Sequence, residues 1–113
     1  MKQTYRAVLA GTGGIGDTHV RAVHATRGRV ELVGAMDVDA DRAAAFTAKW
    51  CIPRTFTDYT EMLAATRPDL VIIASPPALH LGMSVAAMEA GAWVWCEKPL
   101  CGSLAELATL AAA

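Results

Sequence analysis

An α/β fold with a doubly wound parallel sheet, strand order 3-2-1-4-5, is what this sequence predicts. Three observations carry the prediction. Short apolar, β-branched segments alternate with segments of helical spacing along the 113-residue chain, the pattern of right-handed strand–helix–strand crossovers. The segment "DLVIIAS" (69–75) is apolar almost without interruption, as a strand covered on both faces must be. A glycine-rich turn, "GTGGIG", separates the first strand from the first helix.

Taken in order, "TYRAVLA" (4–10) reads as the first strand, and the glycines end it. Residues 15–27 carry Ile15, Val20 and Val23 with Ala22 and Ala25 at helical spacing. Gly28 is suited to close that helix with positive φ. "VELVGAM" (30–36) is the second strand, and "DADRAAAFTAKW" (39–50) an Ala-rich helix whose acidic start suits the helix dipole. "RTF" (54–56) is a short third strand. "DYTEMLAAT" (58–66) is a short helix with Asp58 or Thr57 as N-cap and Glu61 completing the cap. After the apolar fourth strand come a helix over 78–91 ended by Gly91, a fifth strand "AWVWC" (92–96), and a helix from Ser103, with Glu106 at the capping-box position. The fifth strand is expected near one edge of the sheet. If the chain were made alone, that aromatic edge is expected to favour self-association. The last stretch, "LATLAAA", reads as a helix cut in progress. Residues 1–113 are therefore expected to be a dinucleotide-binding domain at the front of something longer, with a substrate domain absent from this chain.

Composition narrows the function. With 54% hydrophobic and 19% charged residues the chain reads as globular. A net charge of -1 with scattered Lys and Arg leaves no basic footprint for nucleic acid or a membrane surface. No apolar run reaches the length of a membrane span. The three cysteines, Cys51, Cys96 and Cys101, form no metal-type spacing, and reduced thiols fit a cytoplasmic protein. No metal is expected.

The chemistry sits at the strand ends. Gly11, Gly13 and Gly16 occupy the three places of G-x-G-x-x-G. The first allows a tight turn, the second lets a pyrophosphate approach the backbone, and the third lets the helix pack close. The helix start behind them offers N–H groups to an anion. Asp37 closes the second strand, twenty-one residues after Gly16, where an acid accepts hydrogen bonds from the adenosine ribose and repels a 2′-phosphate. NAD is thereby favoured over NADP, although NADP stays possible; if NADP bound more tightly, Arg42 would be the residue to meet its phosphate. Asp37 could instead cap the helix that follows, a role for which Asp39 competes. A P-loop fails, because Gly16 is followed by Asp17. A methyltransferase-like site would carry an acid just before the glycines, where Leu9 and Ala10 stand, and is kept as a lesser alternative. "ASPPALH" leaves the fourth strand through two prolines, with His80 one turn on, and Glu97, Lys98 and Pro99 follow the fifth strand at the same edge. A lone histidine is more often packed or solvated than functional; charges beside a proline at this edge read as aimed side chains.

Gly11 to Gly16 with His19, Asp37, "PDLVIIASPPALH" and "AGAWVWCEKPL" together resemble the nucleotide-binding domain of the glucose–fructose oxidoreductase, inositol dehydrogenase and rhizopine-catabolism (Gfo/Idh/MocA) family, over essentially the whole chain. The resemblance implies a Rossmann domain that binds NAD or NADP, followed by a C-terminal domain that carries the substrate pocket. It implies cofactor contacts from Gly11, Thr12, Gly13, Gly14, Ile15, Gly16, Asp37, Ser75, Pro76, His80, Glu97 and Lys98. It implies a catalytic place for Lys98, near the nicotinamide and the substrate hydroxyl. Sugars, polyols or their derivatives are the implied substrates, oxidised at a secondary hydroxyl or reduced at the ketone, and the whole protein is expected to be a homo-oligomer. This fragment alone is expected to be inactive. The competing reading is a stand-alone dinucleotide-binding module without turnover, which would have no use for Glu97 and Lys98.

Overall fold

A computed structural model describes residues 4–13, 16–74 and 77–96. Its elements are β1 (Tyr5–Ala10), α1 (Gly16–His24), β2 (Val30–Met36), α2 (Ala40–Trp50), β3 (Thr55–Phe56), α3 (Tyr59–Thr66), β4 (Leu70–Ile73), α4 (His80–Glu89) and β5 (Trp93–Cys96), with one tighter helical turn (Pro77–Leu79) before α4. The expected helix from Ser103, and Glu97, Lys98, Pro99 and Cys101, lie outside the described residues, as do Gly14, Ile15, Ser75 and Pro76.

The sheet is parallel, in the order β3-β2-β1-β4-β5. The period of two in each strand divides its side chains between two cores. Val8, Ala10, Val71 and Ile73 face Met62 and Leu63 of α3 and Ala87 of α4. Ala7, Leu9 and Ile72 face Val20 and Val23 of α1 and Phe46 of α2. Both faces are therefore covered, which is why β4 reads as an unbroken apolar run. β5 forms one edge of this sheet, as expected, and its Trp93 is 78% exposed.

The registers fix where the site falls. Ala10 pairs with Met36 on one side and with Ile73 on the other. Met36 also pairs with Phe56, and Ile73 with Cys96. The carboxyl ends of the strands are thus level, so that Gly11, Asp37 and Ala74 emerge at one edge. β1 sends the chain to β2 on one side and meets β4 on the other, so this edge carries the topological switch point.

The boundaries of α1 and α4 differ from the sequence reading. α1 stops at His24 rather than at residue 27. Thr26 donates from its hydroxyl to the Val23 carbonyl at 2.7 Å and accepts from the Val30 N–H at 3.0 Å, so a side chain holds the turn that the helix would have used. Gly28 does take positive φ (90°), but inside that turn. α2 and α3 end at Trp50 and Thr66, where the sequence reading ended them, with Cys51 and Arg67 as left-handed caps without glycine. α4 begins at His80, after the tight turn that starts at Pro77, and Gly91 (φ 85°) lies just past its end.

Candidate functional site

The glycine turn starts with a backbone that only glycine adopts freely: Gly11 has φ 101°. Its N–H still donates to the Met36 carbonyl at 2.8 Å, extending the β1–β2 ladder into the turn. The Gly16 N–H donates to the Gly13 carbonyl at 2.8 Å and closes the loop onto α1. A Cβ on Gly13 would meet no atom within 4 Å, so the backbone there faces open space. A Cβ on Gly16 would instead stand 2.9 Å from Phe46 Cε1. The third glycine therefore serves packing, as expected, but its closest neighbour is a ring on α2 rather than a strand.

Asp37 is the electrostatic centre of this edge. Its side chain is only 5% exposed, which would be unfavourable for an isolated carboxylate. Five donors offset that burial. Oδ2 accepts from the Thr12 N–H (3.1 Å), the Thr12 hydroxyl (2.9 Å) and Arg42 Nε (3.0 Å). Oδ1 accepts from the Asp39 N–H (3.0 Å) and Arg42 Nη2 (2.8 Å). Burial pushes the Asp37 carboxyl up, but Arg42, the Asp39 N–H and the two Thr12 donors outweigh it and hold the group well below the usual carboxylate range. The same pair pushes the Arg42 guanidinium up. Asp39, not Asp37, caps α2, accepting from the Arg42 N–H at 3.1 Å. Asp37 is thus relieved of the capping role that competed with a ligand role.

Beside the turn opens a crevice of about 350 Å³, lined by Gly11, Gly13, Asp37, Arg42, Leu79 and Met83 among others. Val38 on its rim is 79% exposed and Leu79 45%. Large apolar side chains left in water at a crevice mouth suit a flat apolar group placed between them. Leu79 and Met83 are an i, i+4 pair leading into and along α4, and Tyr59 fixes that stretch by donating to the Met83 carbonyl at 2.7 Å. Neither was singled out from the sequence, where α4 is apolar on nearly every side. His80, expected beside the ligand, is 1% exposed at the first position of α4, while Ala74, Leu79 and Met83 supply that segment's part of the lining. His19 is also buried, its ring edge-on to Trp95 at 5.4 Å.

A dinucleotide fits these residues. The open backbone at Gly13 gives a pyrophosphate room to approach, Asp37 offers a fixed negative charge at the end of β2, and the apolar rim suits an adenine ring. Crevices outside the carboxyl edge of an open parallel sheet, where the strand order reverses, are where Rossmann domains take their dinucleotides. The fold and this turn put the chain in that class. It belongs to the oxidoreductase family Gfo/Idh/MocA, described as an NAD-binding Rossmann fold, which it matches over residues 5–113.

Its relatives are dehydrogenases by name. The chain is 35% identical over 104 residues to inositol 2-dehydrogenase of Salmonella typhimurium, covering 91% of the chain and 31% of that protein. It is 34% identical over 94 residues to D-glucoside 3-dehydrogenase of Escherichia coli, covering 83% and 27% respectively. Among solved structures, the WlbA dehydrogenase of Chromobacterium violaceum, in complex with NADH and UDP-GlcNAcA, superposes with a TM-score of 0.91 at 30% identity, over 98% of this chain and 32% of that one. Myo-inositol 2-dehydrogenase of Lactobacillus plantarum gives 0.87 at 31% identity, over 96% and 32%. The chain spans about a third of the length of these relatives.

Proposed function

We propose that this chain is the NAD-binding part of a dehydrogenase acting on a secondary hydroxyl, or the corresponding ketone, of a sugar, polyol or derivative. The observation that carries the reading is the buried Asp37 carboxyl group tied to Thr12 of the glycine turn at the switch point of the sheet. The substrate class is supported by the names of the relatives, inositol 2-dehydrogenase and D-glucoside 3-dehydrogenase.

In this reading Gly11, Thr12, Gly13, Gly14, Ile15 and Gly16 hold the pyrophosphate with backbone N–H groups, aided by the start of α1. Asp37 accepts from the adenosine ribose. Ser75, Pro76 and His80 belong to the wall nearer the nicotinamide, and Glu97 and Lys98 to the reacting end. NAD, when bound, supplies the hydride-accepting ring carbon. Lys98 is proposed as the catalytic residue of this chain: it orients the substrate hydroxyl and polarises its oxygen as the carbon–hydrogen bond breaks. The pairing of Cys96 with Ile73 supports this, because Cys96 brings the chain to the carboxyl edge of the sheet two residues before Lys98. A substrate domain following residue 113, a cytoplasmic location and assembly into a homo-oligomer belong to the same proposal and rest on the family resemblance.

The test is Lys98→Ala in the protein that carries this chain. Turnover with inositols or glucosides, followed by reduced-nicotinamide absorbance, should fall at least about a hundredfold. NAD affinity should stay within a few-fold, since the lysine acts away from the pyrophosphate. Unchanged turnover would remove Lys98 from the chemistry.

A further inference from the structure

Asp17 stands in the first turn of α1, the helix whose start would meet a pyrophosphate. An acid is out of place there. The positive end of the helix attracts its carboxylate as it attracts a phosphate, and the two anions repel each other. Asp17 also lines the hollow between α1 and α2, together with Thr12, Gly13 and Lys49. Gly13 is the glycine whose backbone faces open space. The acid and the ligand's approach therefore share one part of the surface.

The structure turns this carboxylate toward α2. Oδ1 accepts from the Trp50 indole N–H at 2.7 Å, and Oδ2 accepts from Lys49 Nζ at 2.9 Å. Each oxygen thus has a donor from the last turn of α2. These two bonds, Lys49 first, hold the Asp17 carboxyl below the usual carboxylate range, so the group is an anion at neutral pH. Trp50 is itself fixed along α1. Asp17, Arg21 and His24 recur at i, i+4 and i+7, one stripe of the helix, and Trp50 meets all three. The Arg21 guanidinium carbon lies 5.9 Å from a Trp50 ring centroid and Lys49 Nζ 5.3 Å, while His24 stands edge-on at 5.8 Å. The indole N–H is therefore placed by contacts beyond the bond it makes.

We propose that Lys49 and Trp50 are positioning residues for the pyrophosphate: they hold the Asp17 carboxylate against α2 and so off the anion's place at the start of α1. The inference rests on the dinucleotide reading above and deepens it. Neither residue touches the cofactor in this account; both act through Asp17. Without them the carboxylate is free to turn to the helix start and compete for its positive end. Lys49 also neutralises the acid at contact distance, which weakens its field at the ligand.

ADP-ribose is the probe, because it carries the pyrophosphate without the nicotinamide end. It is titrated calorimetrically into wild-type, Lys49→Met, Trp50→Phe and Asp17→Asn protein, and into each of the first two variants combined with Asp17→Asn. Affinity should fall about tenfold in Lys49→Met and about threefold in Trp50→Phe, which keeps a ring on the stripe and removes the N–H. Asp17→Asn alone should stay within about twofold of wild type and should bring both variants back to within about twofold of it. The ratio of wild-type to Lys49→Met affinity should also shrink in about 0.5 M salt, because one charge opposes another. The Lys49 side chain is 57% exposed, so its truncation leaves the core intact, and urea unfolding reads folding apart from binding. A loss of equal size with and without Asp17→Asn would mean that Lys49 meets the phosphate itself, and would overturn the proposal. Wild-type affinity in Lys49→Met would overturn it as well. Failure of the wild type to bind ADP-ribose would overturn the dinucleotide reading itself, and this inference with it.

Discussion

Gly16, the first residue of α1, lies so close to the ring of Phe46 in α2 that a methyl group on it would sit 2.9 Å from Cε1 and 3.1 Å from Cζ. Phe46 is buried in the core on that face of the sheet, with Val20, Val23 and Leu9 in the same cluster. The ring cannot swing into solvent, so the glycine sets how near the helix that starts at the ligand edge can come to its neighbour.

Gly16→Ala should therefore destabilise the protein by about 1–3 kcal/mol, the range for overpacking a filled core. Phe46→Leu introduced beside it should recover part of that loss, since the two residues share one contact. Urea unfolding of the two single variants and the double variant measures the coupling. Strictly additive effects would mean that Gly16 is needed for some other reason.

Asp37 should leave a signature in acid. Its folded-state pKa is depressed, so its contribution to stability is complete above the unfolded carboxylate value of about 3.9 and is lost as pH falls through that value toward the lower folded one. The difference in urea midpoint between wild type and Asp37→Asn should stay constant from neutral pH down to about pH 5 and shrink below about pH 4. A difference that does not move across that window would show that the carboxylate's charge contributes little to the fold.

Cys51 caps α2 in the left-handed region, with φ 56° and ψ 39°, and its N–H donates to the Thr47 carbonyl. For a residue with a Cβ this conformation costs about 1–2 kcal/mol relative to glycine. The side chain is exposed and takes no part in a disulfide. Cys51→Gly should raise the melting temperature by a few degrees, corresponding to about 1 kcal/mol for a domain of this size. A lower melting temperature would mean that the thiol packs usefully where it stands.

Much of this was legible in the residues, and the gaps have physical causes. β2 was readable to its end residues, because Val30 follows a turn and Asp37 follows Met36. The strand order could be inferred from the single glycine turn and the unbroken apolar run of β4. The end of α1 could not, because the competitor that stops it is a side-chain hydroxyl, Thr26, bonding the backbone on both sides of a turn. The crevice wall from Leu79 and Met83 was hidden for a different reason. α4 is apolar on nearly every side, so its pattern names no preferred face. Arg42 was legible in the sequence as a candidate for a 2′-phosphate, but not as an ion-pair partner of Asp37. Its partner lies in the loop before that helix, where no helical spacing rule could find it.

The central claim is that the glycine turn and Asp37 together hold NAD by its adenosine half. Calorimetric titration of NAD and NADP into the wild-type protein and into Asp37→Ala tests it most directly. The account predicts one site per chain in the wild type, with NAD bound more tightly than NADP, and a preference that narrows by about tenfold or more when the acid is removed. Tighter binding of NADP by the wild type, or a preference that Asp37→Ala leaves unchanged, would contradict it.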